Sequence, residues 1–297
     1  MKMSQKNQGI MYIIMAAFFF ACMSFFIRKA GDLPTMQKGF FRNVVAMFAA
    51  AVMLLRTEDK FKIKKGSIPS LLMRAICGTI GLICNYYAID HMNISDANIL
   101  NKLAPFFAII MSALILNEYA NRFEWSMVIV AFIGALFVVK PTLDMKCIPA
   151  VVAAIGGLGA GTAYTFVRKL GKQGERGPVI VMFFSTFSCI ITLPFVIFDF
   201  HPMTLMQLIY LLIAGICAAA GQFTVTQAYA KAPAKDISVF DYSQVLFAAI
   251  LGFLFLNQIP DIYSIIGYII IIGAAIIKWI HLSLIHISEP TRLLSIS

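Results

Sequence analysis

The stretch from Asp96 to Ile110 reads DANILNKLAPFFAII. It is apolar enough to enter a bilayer, yet it places Asn98, Asn101 and Lys102 at i, i+3 and i+4, on one helical face. A lysine at the centre of a lipid-facing helix costs about 2.5–3.5 kcal/mol on insertion scales. That face is therefore expected to meet protein or water. The pattern returns from Asp236 to Ile250, as DISVFDYSQVLFAAI. Ser238, Asp241 and Tyr242 hold the matching places, each 140 positions on (238−98, 241−101, 242−102). A polar face that occurs twice inside apolar helices points to one central site built from two halves.

The composition agrees with a bilayer setting. The chain has 297 residues, 60% hydrophobic and 13% charged, with mean hydropathy +0.85. Soluble domains average about 25% charged residues. The net charge of +10 comes from short loops between apolar runs. No basic stripe with interleaved aromatics marks a nucleic-acid partner. The cysteines Cys22, Cys77, Cys84, Cys147, Cys189 and Cys217 form no CxxC motif and read as small hydrophobes in packed helices. Lys2 and Lys6 precede about twenty apolar residues without a convincing cleavage site, so the first helix is expected to be retained.

Ten stretches have the roughly 20-residue length of a membrane span: 9–27, 37–55, 68–89, 96–116, 123–140, 148–167, 178–198, 204–229, 236–257 and 262–280. With the N-terminus inside, the cytoplasmic side carries Lys2, Lys6, Arg56, Lys60, Lys62, Lys64, Lys65, Arg74, Arg122, Arg168, Lys169, Lys172, Arg176, Lys231, Lys235 and Lys278. The outer side carries Arg28, Lys29, Lys38, Arg42, Lys140 and Lys146. This bias of 16 to 6 predicts that both ends of the ten-span unit face the cytoplasm. Trp125 and Trp279 then fall at the inner interface, where aromatic belts lie.

The 140-residue offset holds along the chain. Phe26-Ile27-Arg28-Lys29 answers Phe166-Val167-Arg168-Lys169, Gly81 answers Gly221, and Leu116-Asn117 answers Leu256-Asn257. Each half has five spans. An odd number forces the second half into the membrane upside down, the inverted-repeat plan of secondary transporters. The expected fold is an all-α integral membrane protein of ten transmembrane helices in two inverted five-helix repeats, over 9–140 and 148–281.

Further marks are Arg42 near the start of the second span, Tyr86-Tyr87-Ala88 ending the third, Pro105 in the fourth and Leu116-Asn117-Glu118 leaving it. With the repeat, they make residues 9 to 281 resemble the drug/metabolite transporter superfamily, EamA type. The second half departs from the pattern: Gln244-Val245 stands where the family often has a proline, and Gln258 where it often has glutamate. Beyond His281, Leu282 to Arg292 reads LSLIHISEPTR. This resembles the in-frame translation of a transposon-end sequencing adapter, and 282–297 is expected to be foreign to the fold.

Several constellations compete with plainer readings. Lys102 either snorkels to the outer interface or offers a cation to an anionic substrate group. Asp241 either pairs near the inner interface or binds a proton. The two enter from opposite faces of a core about 30 Å thick, so roughly 10 Å is expected between their levels and a direct bridge is not. Arg42 reads first as a snorkelling arginine. Asn85, Tyr86 and Tyr87 on the third span, and Gln222 and Thr226 on the eighth, line the same cavity or else bond between helices. Gly157 and Gly161 read as a close-packing pair.

No GxxxxGK[ST], HExxH or G-x-S-x-G motif is present, and His91, His201 and His281 are scattered at helix ends. The expectation is therefore a non-enzymatic secondary transporter of the cytoplasmic membrane. It would use no cofactor or metal and move a small organic metabolite, amino-acid-like or zwitterionic, by proton coupling or exchange. A passive channel is the alternative. Membrane lipids and a small-molecule substrate are the expected partners, with protons as a candidate co-substrate.

Overall fold

A computed structural model describes residues 4–91, 94–140, 147–257 and 259–294, and every regular element in it is helical. The first half holds α1 (Gln5–Lys29), α2 (Thr35–Leu55), α3 (Ile68–His91), α4 (Ile94–Asn101), α5 (Ala104–Leu116) and α6 (Arg122–Val139). The second holds α7 (Cys147–Lys172), α8 (Gly177–Phe198), α9 (Leu205–Lys231), α10 (Ala234–Ile237), a 3₁₀ segment over Ser238–Tyr242, α11 (Ser243–Leu256) and α12 (Ile262–Leu294). Among the described residues, ten segments are long and apolar enough to cross a membrane.

Local chemistry sets the helix ends. The Ser4 hydroxyl accepts the Asn7 N–H at 3.2 Å and caps α1. Asn121 and Glu124 form a reciprocal capping box on α6, as Thr204 and Gln207 do on α9. The repeat is visible at single residues. Asn117 ends α5 at φ 55° and Asn257 ends α11 at φ 52°, both left-handed, with cap N–H groups donating to Ser112 O and Gly252 O. Asparagine tolerates this conformation better than most side chains. All three pairs, 117/257, 112/252 and 116/256, keep the 140 offset.

Packing obeys the same symmetry. α1 lies on α9 as α7 lies on α3, and α1 meets α11 as α7 meets α5. The α2–α8 and α6–α12 pairs map onto themselves. Such a pattern is a pseudo-two-fold, and five spans per half make it an inverted one. Large apolar side chains such as Phe48, Leu114, Ile190, Phe198 and Ile269 are exposed around the outside, as a lipid-facing surface requires.

The fourth and ninth spans are not the continuous helices expected from their apolar pattern. The fourth breaks at Lys102–Leu103 between α4 and α5. Pro105 lacks an N–H, and its ring clashes with the carbonyl of residue i−4, which is Asn101, the last residue of α4. The ninth has no proline there and breaks differently, by tightening into the 3₁₀ segment. Just past its end the Ser243 hydroxyl donates back to Phe240 O at 2.7 Å, the local competition that lets serine disturb a helix. Two unlike sequences thus interrupt repeat-related helices at equivalent positions of the repeat.

Candidate functional site

The two interruptions meet. Lys102 Nζ lies 3.4 Å from Asp241 Oδ2 and donates to Gln244 Oε1 at 2.7 Å. The Tyr242 hydroxyl donates to Lys102 O at 3.0 Å, satisfying a carbonyl next to the break. Both charged side chains are mostly buried, 14% and 20% exposed. This corrects the expectation that about 10 Å keeps them apart. The breaks aim both side chains inward from the middle of the bundle, and the long lysine stem spans the difference. Snorkelling of Lys102 to the interface is corrected by the same contact.

Other expected residues divide. Ser238 and Thr226 are fully buried, and the Thr226 hydroxyl has no hydrogen-bond partner among the described residues. Asn85 Oδ1 is likewise buried and unpartnered, while Gln222 Oε1 accepts from Arg74 at 3.2 Å. Tyr86 is buried against α2, where its ring occupies the space a side chain at Gly39 would need. It is a packing contact rather than part of the Lys102–Asp241 join. Asn98 is exposed and Asn101 half-buried. Arg42 does not snorkel. Its Nε is buried without a partner, and Nη1 reaches Met23 Sδ at 3.9 Å.

Charge counting along the chain places Arg74 among the loop cations. In the structure it is 3% exposed, one turn and a half into α3, with its guanidinium carbon 4.0 Å from the Phe184 ring centre. Gly78, one turn further, supplies the room: a Cβ there would collide with Arg74 Nη1. An arginine with glycine at i+4 inside an apolar helix is the signal that sequence reasoning missed. Without Arg42 and Arg74 the basic bias becomes 15 to 5 (16−1 and 6−1), with the same sign. Gln244, one turn from Asp241 on the same face, stands out in the sequence only for not being proline. Sequence reasoning also missed Tyr164 and Tyr229. They stack at 4.7 Å, and Tyr164 lies within charge range of Asp241, Arg74 and Arg42.

Glycines let the halves come this close. A Cβ at Gly161 would lie 2.7 Å from Ala104 O, and one at Gly157 would lie 3.2 Å from Leu100 O. The expected close-packing pair therefore seats α7 against the broken span. Two apolar clefts, one lined by Met11, Ile14 and Trp279 and one by Phe61, Phe183 and Ile190, include neither Lys102 nor Asp241.

Ten apolar spans in inverted halves, with charges held at broken helices between them, define a multi-pass membrane transporter of small solutes. The profile of the EamA-like transporter family matches residues 7–140 and again 148–279. The chain belongs to the EamA-like transporter family. It is 30% identical over 273 residues to the pseudopaline exporter CntI of Pseudomonas aeruginosa, covering 91% of this chain and 95% of that one. Solute carrier family 35 member G1 of Homo sapiens is 24% identical over 290 residues, covering 91% and 80%. A solved crystal structure shares the fold with TM-score 0.77 at 12% identity, covering 91% of this chain and 96% of the other.

Proposed function

We propose that the protein is a secondary transporter of the cytoplasmic membrane. It moves a small amino-acid-like or otherwise zwitterionic metabolite by alternating access, driven by protons or by exchange. The observation that carries this reading is the Lys102–Asp241–Gln244 join between two broken, repeat-related spans. Interrupted helices at a repeat interface are where secondary transporters hold cargo. An ammonium paired with a carboxylate can exchange each partner for one end of a zwitterion. The 30% identity to pseudopaline exporters makes their cargo one candidate and export one candidate direction. The basic end of the bundle is placed in the cytoplasm.

Uptake of labelled metabolites into proteoliposomes tests this. A hit should accumulate against its gradient under an imposed pH difference or on exchange. Asp241→Asn should abolish the pH dependence, and Lys102→Ala should weaken binding without unfolding the protein. Concentrative transport that survives Asp241→Asn with its pH dependence intact contradicts the assignment, and flux that only equilibrates indicates a facilitator. Orientation is read by thiol labelling of single cysteines at Lys62 and His201: only His201 should react from outside.

A further inference from the structure

Lys102 has its countercharge in Asp241, but two other cations in the bundle have none. Arg42 lies seven residues into α2, about 10 Å along it. Arg74 lies six residues into α3, about 9 Å from the opposite end. Neither forms an ion pair with any carboxylate of the described residues. Arginine does not deprotonate in proteins. Each keeps a buried Nε without a hydrogen-bond partner. Arg74, only 3% exposed, donates a hydrogen bond to Gln222 and stacks on Phe184. Lys102, Lys278 and Arg168 face Asp241, Glu124 and Glu118, and buried Asp236 faces Lys6, whereas the two arginines face no carboxylate within ion-pair distance among the described residues.

Burying an unpaired charge is costly, and a fold keeps one only for a compensating gain. The neighbours of the arginines are neutral, Gln222 and Phe184 for Arg74 and Met23 for Arg42. Asn43 Nδ2, Asn85 Oδ1, Ser185 Oγ and Thr226 Oγ1 are further buried polar atoms without a hydrogen-bond partner among the described residues. A planar guanidinium fork matches a carboxylate better than a point cation does.

We infer that Arg42 and Arg74 form an anion-binding subsite for the carboxylates of the cargo, so that the metabolite carries more carboxylates than amines. This deepens the transporter reading and rests on it. Asp241 is left to meet the amine, and the two arginines, set on opposite sides of the midplane, receive acidic groups at the two ends of the cargo.

The test uses matched probes, glutamate against glutamine and succinate against succinamide, which differ by charge at nearly constant shape. Thermal unfolding of the purified protein in lipid nanodiscs is followed at constant ionic strength. A ligand that binds the folded state raises the midpoint. Each acid should raise it saturably and its amide should not. Arg42→Gln and Arg74→Gln should each weaken the acid response at least tenfold, and Arg74→Lys should restore part of it. Without probe, Arg74→Gln should melt no lower than the parent, because it removes an uncompensated charge; a purely structural arginine would melt lower. The inference is overturned if no acid outperforms its amide, or if the acid response is unchanged in both glutamine variants. Glutamate flux into proteoliposomes separates the two claims. Binding without flux sinks the transport reading and leaves the subsite. Flux indifferent to both arginine substitutions sinks the subsite and leaves transport.

Discussion

The two broken spans leave the bundle through matching turns, but they are fastened differently. At the end of α5, Glu118 takes a hydrogen bond from Ser112 at 3.0 Å, from Arg168 Nε at 3.1 Å, and an ion pair from Lys172 at 2.7 Å. Arg168 also donates to Ala230 O at 2.9 Å, tying α9 in as well. At the end of α11 the repeat partners are Gln258 for Glu118, Gly252 for Ser112, Arg28 for Arg168 and Asp32 for Lys172. Position 258 lies outside the described residues, yet its side chain is neutral by type. The basic end carries further charge contacts: Lys6 with Asp236 at 3.6 Å, and buried Lys278 with Glu124 at 3.5 Å. The opposite end carries Lys140 with Asp261 and the neutral bonds between Gln37 and the His201 backbone. An inverted repeat with equal joints would have two states of equal energy. Under the alternating access proposed above, unequal joints would bias the population toward the state in which the basic end is shut.

Breaking the Glu118 joint should have the largest effect. Glu118→Gln leaves Arg168 and Lys172 facing a neutral group, at a cost of about 1–3 kcal/mol for the lost charged bonds. Reagents should then reach the centre of the bundle faster from the basic side, as cysteine-labelling rates would show; unchanged rates would mean that the joint is not a gate. Acid should act the same way. Burial alone raises the Glu118 carboxyl, but the Lys172 hydrogen bond, the Arg168 charge and Ser112 outweigh it and hold it below the usual carboxylate range. A lowered pKa contributes stability above the unfolded value and loses it as pH falls through the folded one. The joint should therefore persist at neutral pH and open only at pH below the ordinary glutamate range.

A second, smaller contrast lies at the helix crossings. A Cβ on Gly81 would sit 2.9 Å from Ala160 N and 3.0 Å from Gly156 O, both backbone atoms of α7. Its repeat partner Gly221 faces the ring of Phe20, the residue that answers Ala160. Backbone cannot step aside, whereas a ring can turn. Gly81→Ala should lower the melting midpoint in nanodiscs clearly more than Gly221→Ala. Equal losses would show that the two crossings are equally tight.

Much of this architecture is legible in the amino-acid order alone, because membrane helices are written in long apolar runs and the repeat in a constant offset. Asn117 and Asn257 pair by arithmetic. The break in the fourth span is readable from Pro105, four residues after Asn101. The one in the ninth is not, since Ser238 to Tyr242 tightens through side-chain competition that no single residue announces. The Lys102–Asp241 contact is hidden for the same reason: depth counted along unbroken helices gives the wrong level once both are interrupted. Arg74 is misplaced because charge counting treats every basic residue near a helix end as solvated, and only Gly78 hints at an inward guanidinium.

The smallest expected effect concerns residues 282–297, proposed to be foreign to the fold. Deleting them should leave the melting midpoint and flux unchanged, and loss of insertion would show that they belong to the structure.

The central claim is that the join of the two broken spans is a polar site reached from water. Single cysteines at Gln244 and at Phe253, in an otherwise cysteine-free chain, test it with a membrane-impermeant thiol reagent. Both lie on α11, but Gln244 bonds Lys102 while Phe253 is exposed on the outer, lipid-facing surface. The account predicts modification of Gln244→Cys and none of Phe253→Cys in intact membranes. An inert position 244 beside a reactive position 253 would contradict it.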